Sequence, residues 1–264
     1  MKKYLEFFKA SFKWSFENRF ATLIWVFMGA FPVLLMIIIW SSLYHQGGSL
    51  GGFSLSSLVT YYFLVGLVNN FTLTFRSDEV PRRIKDGDLA IDLLRPYSFI
   101  KQQMADELGY KVLSLFVVVP TYTLMFLLVG DQIKIVFSME SISHFLLVAL
   151  LSFLLTYMFE FALCMVAFYT ETAWWIFHIR LVTMFIFGGI SFPLTFYPES
   201  VQRVLQFLPY KYFIFFPTQV LQGMYNASYY WYSVAMMVSW IIGLFVVYKI
   251  LWQRGLRKFS AVGR

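Results

Sequence analysis

Long apolar stretches follow one another along almost the whole chain and are separated by short polar segments. Six of these stretches are long enough for membrane-spanning helices, since a helix needs about 20 mostly apolar residues to cross a bilayer. We predict spans over residues 20–43, 53–75, 112–130, 145–170, 172–196 and 229–248. Backbone amides in lipid must bond within their own segment, and the alternation typical of a membrane strand is absent from the sequence. Each span is therefore expected to be an α-helix.

Two further segments are amphipathic rather than uniformly apolar. Residues 1–19 carry an apolar stripe at helical spacing among lysines, which predicts a helix lying in the membrane interface, with an inward extension of the first span as the alternative. The N-terminal stripe consists of Leu5, Phe8, Phe12 and Phe16. Residues 197–228 contain a helix start at Pro198 and a break at Pro209, which predicts short re-entrant or interfacial helices before the sixth span.

Positive charge is distributed unevenly between the two sides that these spans define. Of the 21 lysines and arginines, seventeen fall in the N-terminal segment, in loop 76–111 and in the C-terminal tail. Only Lys134, Arg203 and Lys211 fall in the opposite loops, and Arg180 lies inside a span. Cytoplasmic segments of membrane proteins carry the excess of Lys and Arg, so both termini and loop 76–111 are predicted to be cytoplasmic. The net charge of +7 then indicates topology and contact with anionic membrane lipids, and no nucleic-acid binding.

Composition supports a membrane protein and narrows the functional classes. The 264 residues are 59% apolar and 21% aromatic but only 13% charged, against about 25% charged in a typical soluble domain. With one cysteine, Cys164, the chain has no internal disulfide and no multi-cysteine metal site. No GxxxxGK[ST], HExxH or GxSxG motif occurs, so neither P-loop ATP binding nor metalloprotease or serine-hydrolase chemistry is indicated. We expect no catalytic residue, cofactor or metal on this chain.

Loop 76–111 is the largest cytoplasmic segment and mixes charged residues with a short apolar run. Asp86-Gly87 is a turn signal, and Asp88 is suited to cap a short helix over residues 89–95 that Pro96 ends. A short helix with apolar residues in water needs a covering surface. That surface is either a partner protein or the chain's own helix ends.

Three ionisable residues form a candidate intramembrane polar site. Glu160 in the fourth span predicts either a substrate or proton site or a structural hydrogen bond between helices, because a charge in the bilayer is costly. Arg180 in the fifth span is expected either to pair with Glu160 or to extend its side chain to the cytoplasmic surface. His178 lies close to Arg180 in sequence.

Four motifs, in order along the chain, resemble one known family. The run IKDGDLAIDLLRP over residues 84–96 is similar to a loop of bacterial type-2 ATP-binding-cassette exporters, in the viologen-exporter-like branch. AFYTET at 167–172, a GG…PL…YP…LPY series over 188–210 and WQRGLR at 252–257 resemble further motifs of that family. Each motif alone is weak evidence, but the occurrence of all four in the family's order, among six predicted spans, makes the resemblance specific. It covers the whole chain.

The resemblance implies a six-span permease in the bacterial cytoplasmic membrane, with both termini inside. It implies a second permease, the same chain or a different one, and two copies of a separate ATPase that binds ATP and magnesium, so that this chain is not an enzyme. The helix in loop 76–111 would be a coupling helix seated on the ATPase. The contact residues implied are Asp86, Gly87, Asp88, Leu89, Asp92 and Arg95.

Three functions follow as hypotheses. The leading one is ATP-driven export of an amphipathic or hydrophobic substrate, such as a drug, peptide, lipid or glycan. The second is a membrane-embedded lipid-modifying enzyme that uses Glu160 and His178 as its acid–base pair. The third is a scaffold or immunity protein that only sequesters a partner.

Overall fold

The computed structural model describes residues 2–44, 54–74, 76–134 and 138–259. These residues form eleven α-helices and no β-strand, so the predicted all-α class is confirmed for them. In chain order the helices are α1 (Lys2–Glu17), α2 (Arg19–Tyr44), α3 (Leu55–Thr72), α4 (Arg76–Lys85), α5 (Leu89–Leu93), α6 (Phe99–Val129), α7 (Met139–Cys164), α8 (Trp174–Phe187), α9 (Glu199–Leu205), α10 (Phe215–Leu221) and α11 (Ala227–Lys258). Short 3-10 helices cover Gly130–Gln132, Met165–Phe168, Leu194–Phe196 and Pro209–Tyr212.

Four helical segments of the described chain are long and apolar enough to cross a membrane. They are Leu55–Lys85, Phe99–Gln132, Met139–Phe168 and Ala227–Lys258. Two shorter apolar helices accompany them: Phe31–Tyr44, which is the second part of α2, and α8. This arrangement is that of a multi-pass integral membrane protein.

The helices differ from the predicted segments mainly at the loop boundaries. α6 begins at Phe99, so the second part of predicted loop 76–111 belongs to the helix of the third span. α7 begins at Met139 and ends at Cys164, which is earlier at both ends than the predicted span 145–170. Residues 1, 53 and 75, which bound the predicted interfacial helix and second span, lie outside the described residues.

The predicted fifth span is helical only in its first part. α8 has 14 residues, about 21 Å at 1.5 Å per residue, and is shorter than the ~30 Å hydrocarbon core. Beyond it Gly189 has φ +84°, and a Cβ atom there would lie 2.8 Å from the Tyr61 hydroxyl. The hydroxyls of Tyr61 and Tyr62 donate hydrogen bonds to the carbonyl oxygens of Gly189 (2.6 Å) and Ser191 (2.8 Å). α3 thereby satisfies backbone that has left the helix, as apolar surroundings require.

Buried apolar side chains form two clusters, a larger one that extends along most of α3 and a smaller one around α4 and α5. The larger cluster joins α3 to α10 and to the segment before it, and it includes Tyr62, Phe213 and Phe216. The smaller cluster packs α4 and α5 against α7 and α11 and includes Leu89 and Phe161. We call the end of the molecule that carries the smaller cluster the α5 end, and the opposite end the α9 end.

α1 is a separate helix that lies against the first part of α6. A Cβ atom on Gly109 would lie 2.6 Å from the carbonyl oxygen of Phe8, so glycine permits this close approach. The Ser11 hydroxyl donates a hydrogen bond to the carbonyl oxygen of Asp106 over 2.7 Å. The predicted apolar stripe is divided by this packing, with Phe8 and Phe12 half-buried and Leu5 and Phe16 exposed.

Candidate functional site

The α5 end contains the predicted turn and short helix. Gly87 has φ +84°, a conformation that favours glycine, and it allows the chain to reverse between α4 and α5. Asp88 does not cap α5 with its side chain, contrary to the prediction, because its own backbone is already helical (φ −59°, ψ −25°). The turn is closed instead by main-chain bonds from Ala90 to Gly87 and from Ile91 to Asp88.

The six residues that the family resemblance implies as ATPase contacts divide into two groups. Asp86, Asp88 and Arg95 are exposed, and Gly87 is half-buried beside them. Leu89 is fully buried and belongs to the smaller apolar cluster. Asp92 is only 2% exposed, and its Oδ2 accepts hydrogen bonds from Arg83 Nη2 at 2.5 Å and Nε at 3.1 Å. Leu89 and Asp92 therefore fix α5 to the body and leave the other residues facing outward.

The structure adds to this surface apolar residues of the predicted helix that are not among the six implied contacts. Leu94 is 88% exposed, and Ile91 and Leu93 are also exposed. A helix of five residues that is apolar on most sides has no hydrophobic period to reveal which side chains face outward. We call the exposed set the α5 surface. It consists of Asp86, Asp88, Ile91, Leu93, Leu94 and Arg95.

α1 holds the segment that follows α5. Lys3 Nζ donates to the carbonyl oxygen of Pro96 over 3.1 Å, and the Tyr4 hydroxyl accepts the Ser98 backbone N–H over 3.1 Å. Tyr97 packs its ring edge-on against Phe7, with centroids 4.9 Å apart. The hydrogen bond that Arg95 donates to the Tyr97 hydroxyl raises the pKa of Arg95, so its positive charge is secure. Contacts from α1 therefore hold the segment after α5 in place, as Leu89 and Asp92 hold α5 itself.

Glu160 and Arg180 form a buried ion pair, one of the two arrangements predicted for Arg180. Glu160 Oε1 on α7 lies 2.6 Å from Arg180 Nη2 on α8, and neither side chain is accessible. Arg180 also donates to the carbonyl oxygen of Thr74. The Arg76 backbone N–H donates to Glu160 Oε2 over 2.8 Å. The pair therefore joins the start of α4 to α7 and α8.

His178 does not join this pair. It lies on an exposed side of α8, and its Nδ1 is 3.0 Å from the carbonyl oxygen of Trp174. Because His178 and Arg180 are two residues apart on a helix, they point to different sides of it. The acid–base pair of Glu160 and His178 that a lipid-modifying enzyme would need is not assembled. The described residues also contain no cluster of three or more His, Cys, Asp or Glu side chains that could hold a metal ion.

The sequence analysis missed the residues that link the α5 end to the Glu160–Arg180 pair. Arg76 Nε donates to Glu107 Oε2 over 2.8 Å and its Nη1 donates to Glu79 Oε2 over 2.9 Å. Lys111 Nζ donates to the carbonyl oxygen of Leu73 over 2.6 Å, which satisfies an unpaired group just past the end of α3. The sequence did contain one signal for these residues. Glu107 and Lys111 are four positions apart, a spacing that places them on one face of α6.

The sequence of this chain is similar to that of a known family over most of its length. The family model described as ABC-2 family transporter protein matches residues 30–263. The chain belongs to the ABC-2 transporter family. Its members are the permease components of ATP-binding-cassette transporters, which associate with separate ATPase subunits and are generally not catalytic themselves. No curated protein sequence and no solved structure matches this ABC-2 permease significantly.

Proposed function

We propose that this ABC-2 permease is the membrane subunit of an ATP-driven exporter in the bacterial cytoplasmic membrane. It moves an amphipathic or hydrophobic substrate outward, and a separate ATPase that holds ATP and magnesium drives it. A second permease, the same chain or a different one, completes the pathway. The α5 surface is the observation that carries this proposal.

The distribution of charge supports a cytoplasmic location for the α5 end. The basic residues in the last turn of α4, Arg82, Arg83 and Lys85, lie at this end, together with the basic last turn of α11. Lys134, Arg203 and Lys211 lie at the α9 end, with Arg203 on α9 itself. The majority of positive charge in a membrane protein faces the cytoplasm.

The helices can supply six membrane crossings, although the crossings differ in length and regularity. α2, α3, α6, α7 and α11 supply five of them. The sixth consists of α8 and the irregular segment that follows it, whose carbonyl oxygens are bonded by Tyr61 and Tyr62. Irregular backbone at membrane depth is tolerated where protein surrounds it. With six crossings, both termini lie in the cytoplasm.

The α5 surface has the character of a docking site for a soluble partner. Ile91 on α5 and Leu94 directly after it are exposed, and Leu89 and Asp92 hold the helix in place, so this exposure is fixed by the fold. Burying one leucine side chain in an interface contributes roughly 1.5–3 kcal/mol. The neighbouring charges of Asp86, Asp88 and Arg95 give that interface orientation and specificity. A separate ATPase subunit of the kind that serves this family fits such a surface.

The proposal is tested by co-purification of the tagged chain at native expression level from its host. We expect an ATP-binding-cassette ATPase to co-purify and the complex to hydrolyse ATP. Leu94→Asp removes apolar area and adds a charge, and should weaken the association at least about tenfold, equivalent to about 1.4 kcal/mol. The fold should be unaffected because the side chain contacts solvent.

Met139→Asp is the matched control for this experiment. Met139 is also highly exposed, but it begins α7 at the α9 end, away from the α5 surface. Its replacement should leave ATPase association unchanged. Absence of any ATPase from the purified protein, or equal retention in the two variants, would contradict the proposal.

A further inference from the structure

The α5 surface is connected to the centre of the molecule by charged side chains. The connection begins at Asp92, whose side chain is 1% exposed although it belongs to the five-residue helix that carries the surface. Arg83 on α4 binds it through two nitrogens. Both nitrogens donate to the same oxygen, Asp92 Oδ2, and two charge-assisted hydrogen bonds from one planar guanidinium restrict direction as well as distance. Movement of α5 would therefore be passed to α4.

α4 continues the connection along one face. Glu79 lies between two arginines, with Oε2 2.9 Å from Arg76 Nη1 and Oε1 3.8 Å from Arg83 Nη1. Residues 76, 79 and 83 are spaced by three and four positions, which places them together on a helix. The ion pairs thus extend over the whole length of this short helix, from its last turn to its first residue.

Arg76, the first residue of α4, is the point at which several helices meet. Its side chain binds Glu107 on α6 over 2.8 Å, and its backbone N–H binds Glu160 on α7 over 2.8 Å. Glu160 in turn pairs with Arg180 on α8 over 2.6 Å. We call this connected series, from Asp92 to Arg180, the ion-pair chain.

Stability alone is a weak reason for this arrangement. Removing charges from water is costly, and apolar replacements of buried ion pairs are often as stable or more stable. What an ion pair provides that apolar packing does not is a directional contact that resists sliding of one helix past another. An element that must transmit displacement needs that property. Interactions that link two distant sites must be physically continuous or act on a shared two-state element.

We infer that the ion-pair chain transmits the movement of α5 to α7 and α8 during ATP-driven transport, with Arg76 as its junction. The inference rests on the proposed function, because the force on α5 comes from the ATPase. Arg76 and Glu160 are positioning residues in this scheme. Neither contacts the ATPase, and the chain acts after docking has occurred.

The test follows the position of α8 directly and needs no substrate. Val182→Cys introduces a thiol on an exposed side of α8, and the native Cys164 is buried, so a nitroxide spin label attaches at position 182. The labelled permease is combined with its ATPase and any second permease in lipid nanodiscs. Spectra are recorded without nucleotide and after trapping with ATP and vanadate.

In the labelled parent we expect trapping to change the mobility of the label. Arg76→Gln keeps the backbone N–H that is donated to Glu160 but removes the side-chain contacts to Glu107 and Glu79 that hold this residue in place. In this variant the ATPase should still associate and hydrolyse ATP, but the spectral change at position 182 should fall at least fivefold. Glu160→Gln is the second variant, because its amide keeps the shape of the side chain and allows folding if Arg76→Gln does not fold. The same loss is expected in it. Arg203→Gln, which breaks an exposed pair with Glu199, is the control and should keep the full change.

The outcomes separate this inference from the proposed function. A full spectral change in Arg76→Gln or in Glu160→Gln overturns the ion-pair chain and leaves the proposed function standing. Loss of ATPase association in either variant also overturns it, because the chain would then serve docking. Failure of the parent to bind any ATPase overturns the proposed function itself.

Discussion

Glu160 on α7 and Arg180 on α8 are joined by a 2.6 Å contact between Oε1 and Nη2, with both side chains buried. The same carboxylate receives the Arg76 backbone N–H, and the same guanidinium binds the Thr74 carbonyl oxygen. One ion pair therefore determines how α7, α8 and the start of α4 sit relative to one another. This relationship leads to the first prediction.

The destabilising effects of removing Glu160 and Arg180 should not be additive. Arg180→Met leaves the Glu160 carboxylate buried without its cation, which costs roughly 3–5 kcal/mol. Adding Glu160→Leu removes that unpaired charge, so the double variant should lose less than the sum of the single losses. Thermal unfolding of the four proteins in detergent measures this difference. Strict additivity of the two changes would show that the residues are not energetically coupled.

The contact between α1 and α6 depends on the absence of a side chain at Gly109. Gly109→Ala places a Cβ atom 2.6 Å from the Phe8 carbonyl oxygen and should destabilise the protein by roughly 1–3 kcal/mol through overpacking. Gly243→Ala is the matched control, because nothing lies within 4 Å of its Cβ position. In the control, helix propensity favours alanine by about 0.5–1 kcal/mol. We expect Gly109→Ala to lower the melting temperature and Gly243→Ala to raise it. A change of the same sign in both variants would show that α1 does not pack against Gly109.

Reversal of charge on the α5 surface should impair ATPase docking without unfolding the permease. Asp88→Lys combined with Arg95→Glu changes two exposed side chains and should reduce ATPase association and transport-coupled ATP hydrolysis at least about tenfold. Glu199→Lys with Arg203→Glu reverses an exposed pair at the α9 end and is the control. If the first double variant kept both assembly and coupled hydrolysis, the predicted coupling role of these residues would be wrong.

The two ends of the molecule should be accessible from opposite sides of the membrane. Leu94→Cys and Glu199→Cys each introduce one exposed thiol, and the buried Cys164 should stay unlabelled. With a membrane-impermeant maleimide added to intact spheroplasts, we expect labelling at 199 and none at 94 until the cells are broken. The reverse pattern would invert the orientation derived from the positive charges, and labelling at both positions would contradict the number of crossings.

Lys211 should give the protein a specific pH dependence. It is 93% buried by area and lies 4.8 Å from the centre of the Tyr229 ring, and burial lowers the pKa of Lys211 to about 8. An unfolded lysine titrates near 10.4, so between pH 8 and about 10 the unfolded chain binds more protons than the folded one. The free energy of unfolding should therefore rise with pH across this window, and below pH 8 the cost of the buried charge is fully present.

Comparison of variants isolates this contribution from other titrating groups. Lys211→Met should raise the melting temperature at pH 7.5 and have a smaller effect at pH 9.5. Lys134→Met, at an exposed position, should have no such pH-dependent effect. Parallel pH profiles for the parent and Lys211→Met would refute the predicted pKa shift.

Most of the fold follows from local features of the sequence. A charge-free run of about 20 residues predicts a helix in lipid wherever it occurs, and loop 76–111 is identified by its charges alone. Gly87 was predictable as a turn because Asp-Gly pairs favour that backbone. The end of α8 at Phe187 was not predicted, because the apolar run continues past it and the hydroxyls of Tyr61 and Tyr62, which bind the irregular backbone, come from a helix that is distant in sequence.

The sequence by itself determined the all-α class, the positions of most helices, the uneven distribution of positive charge and the resemblance to the family. Only the tertiary structure decided that Leu89 and Asp92 face inward while Leu94 faces outward, and that Glu160 meets Arg180 rather than His178. The reason is physical. Hydrophobicity and turn preference act between neighbours in the chain, whereas burial and ion pairing depend on residues far apart in sequence that folding brings together.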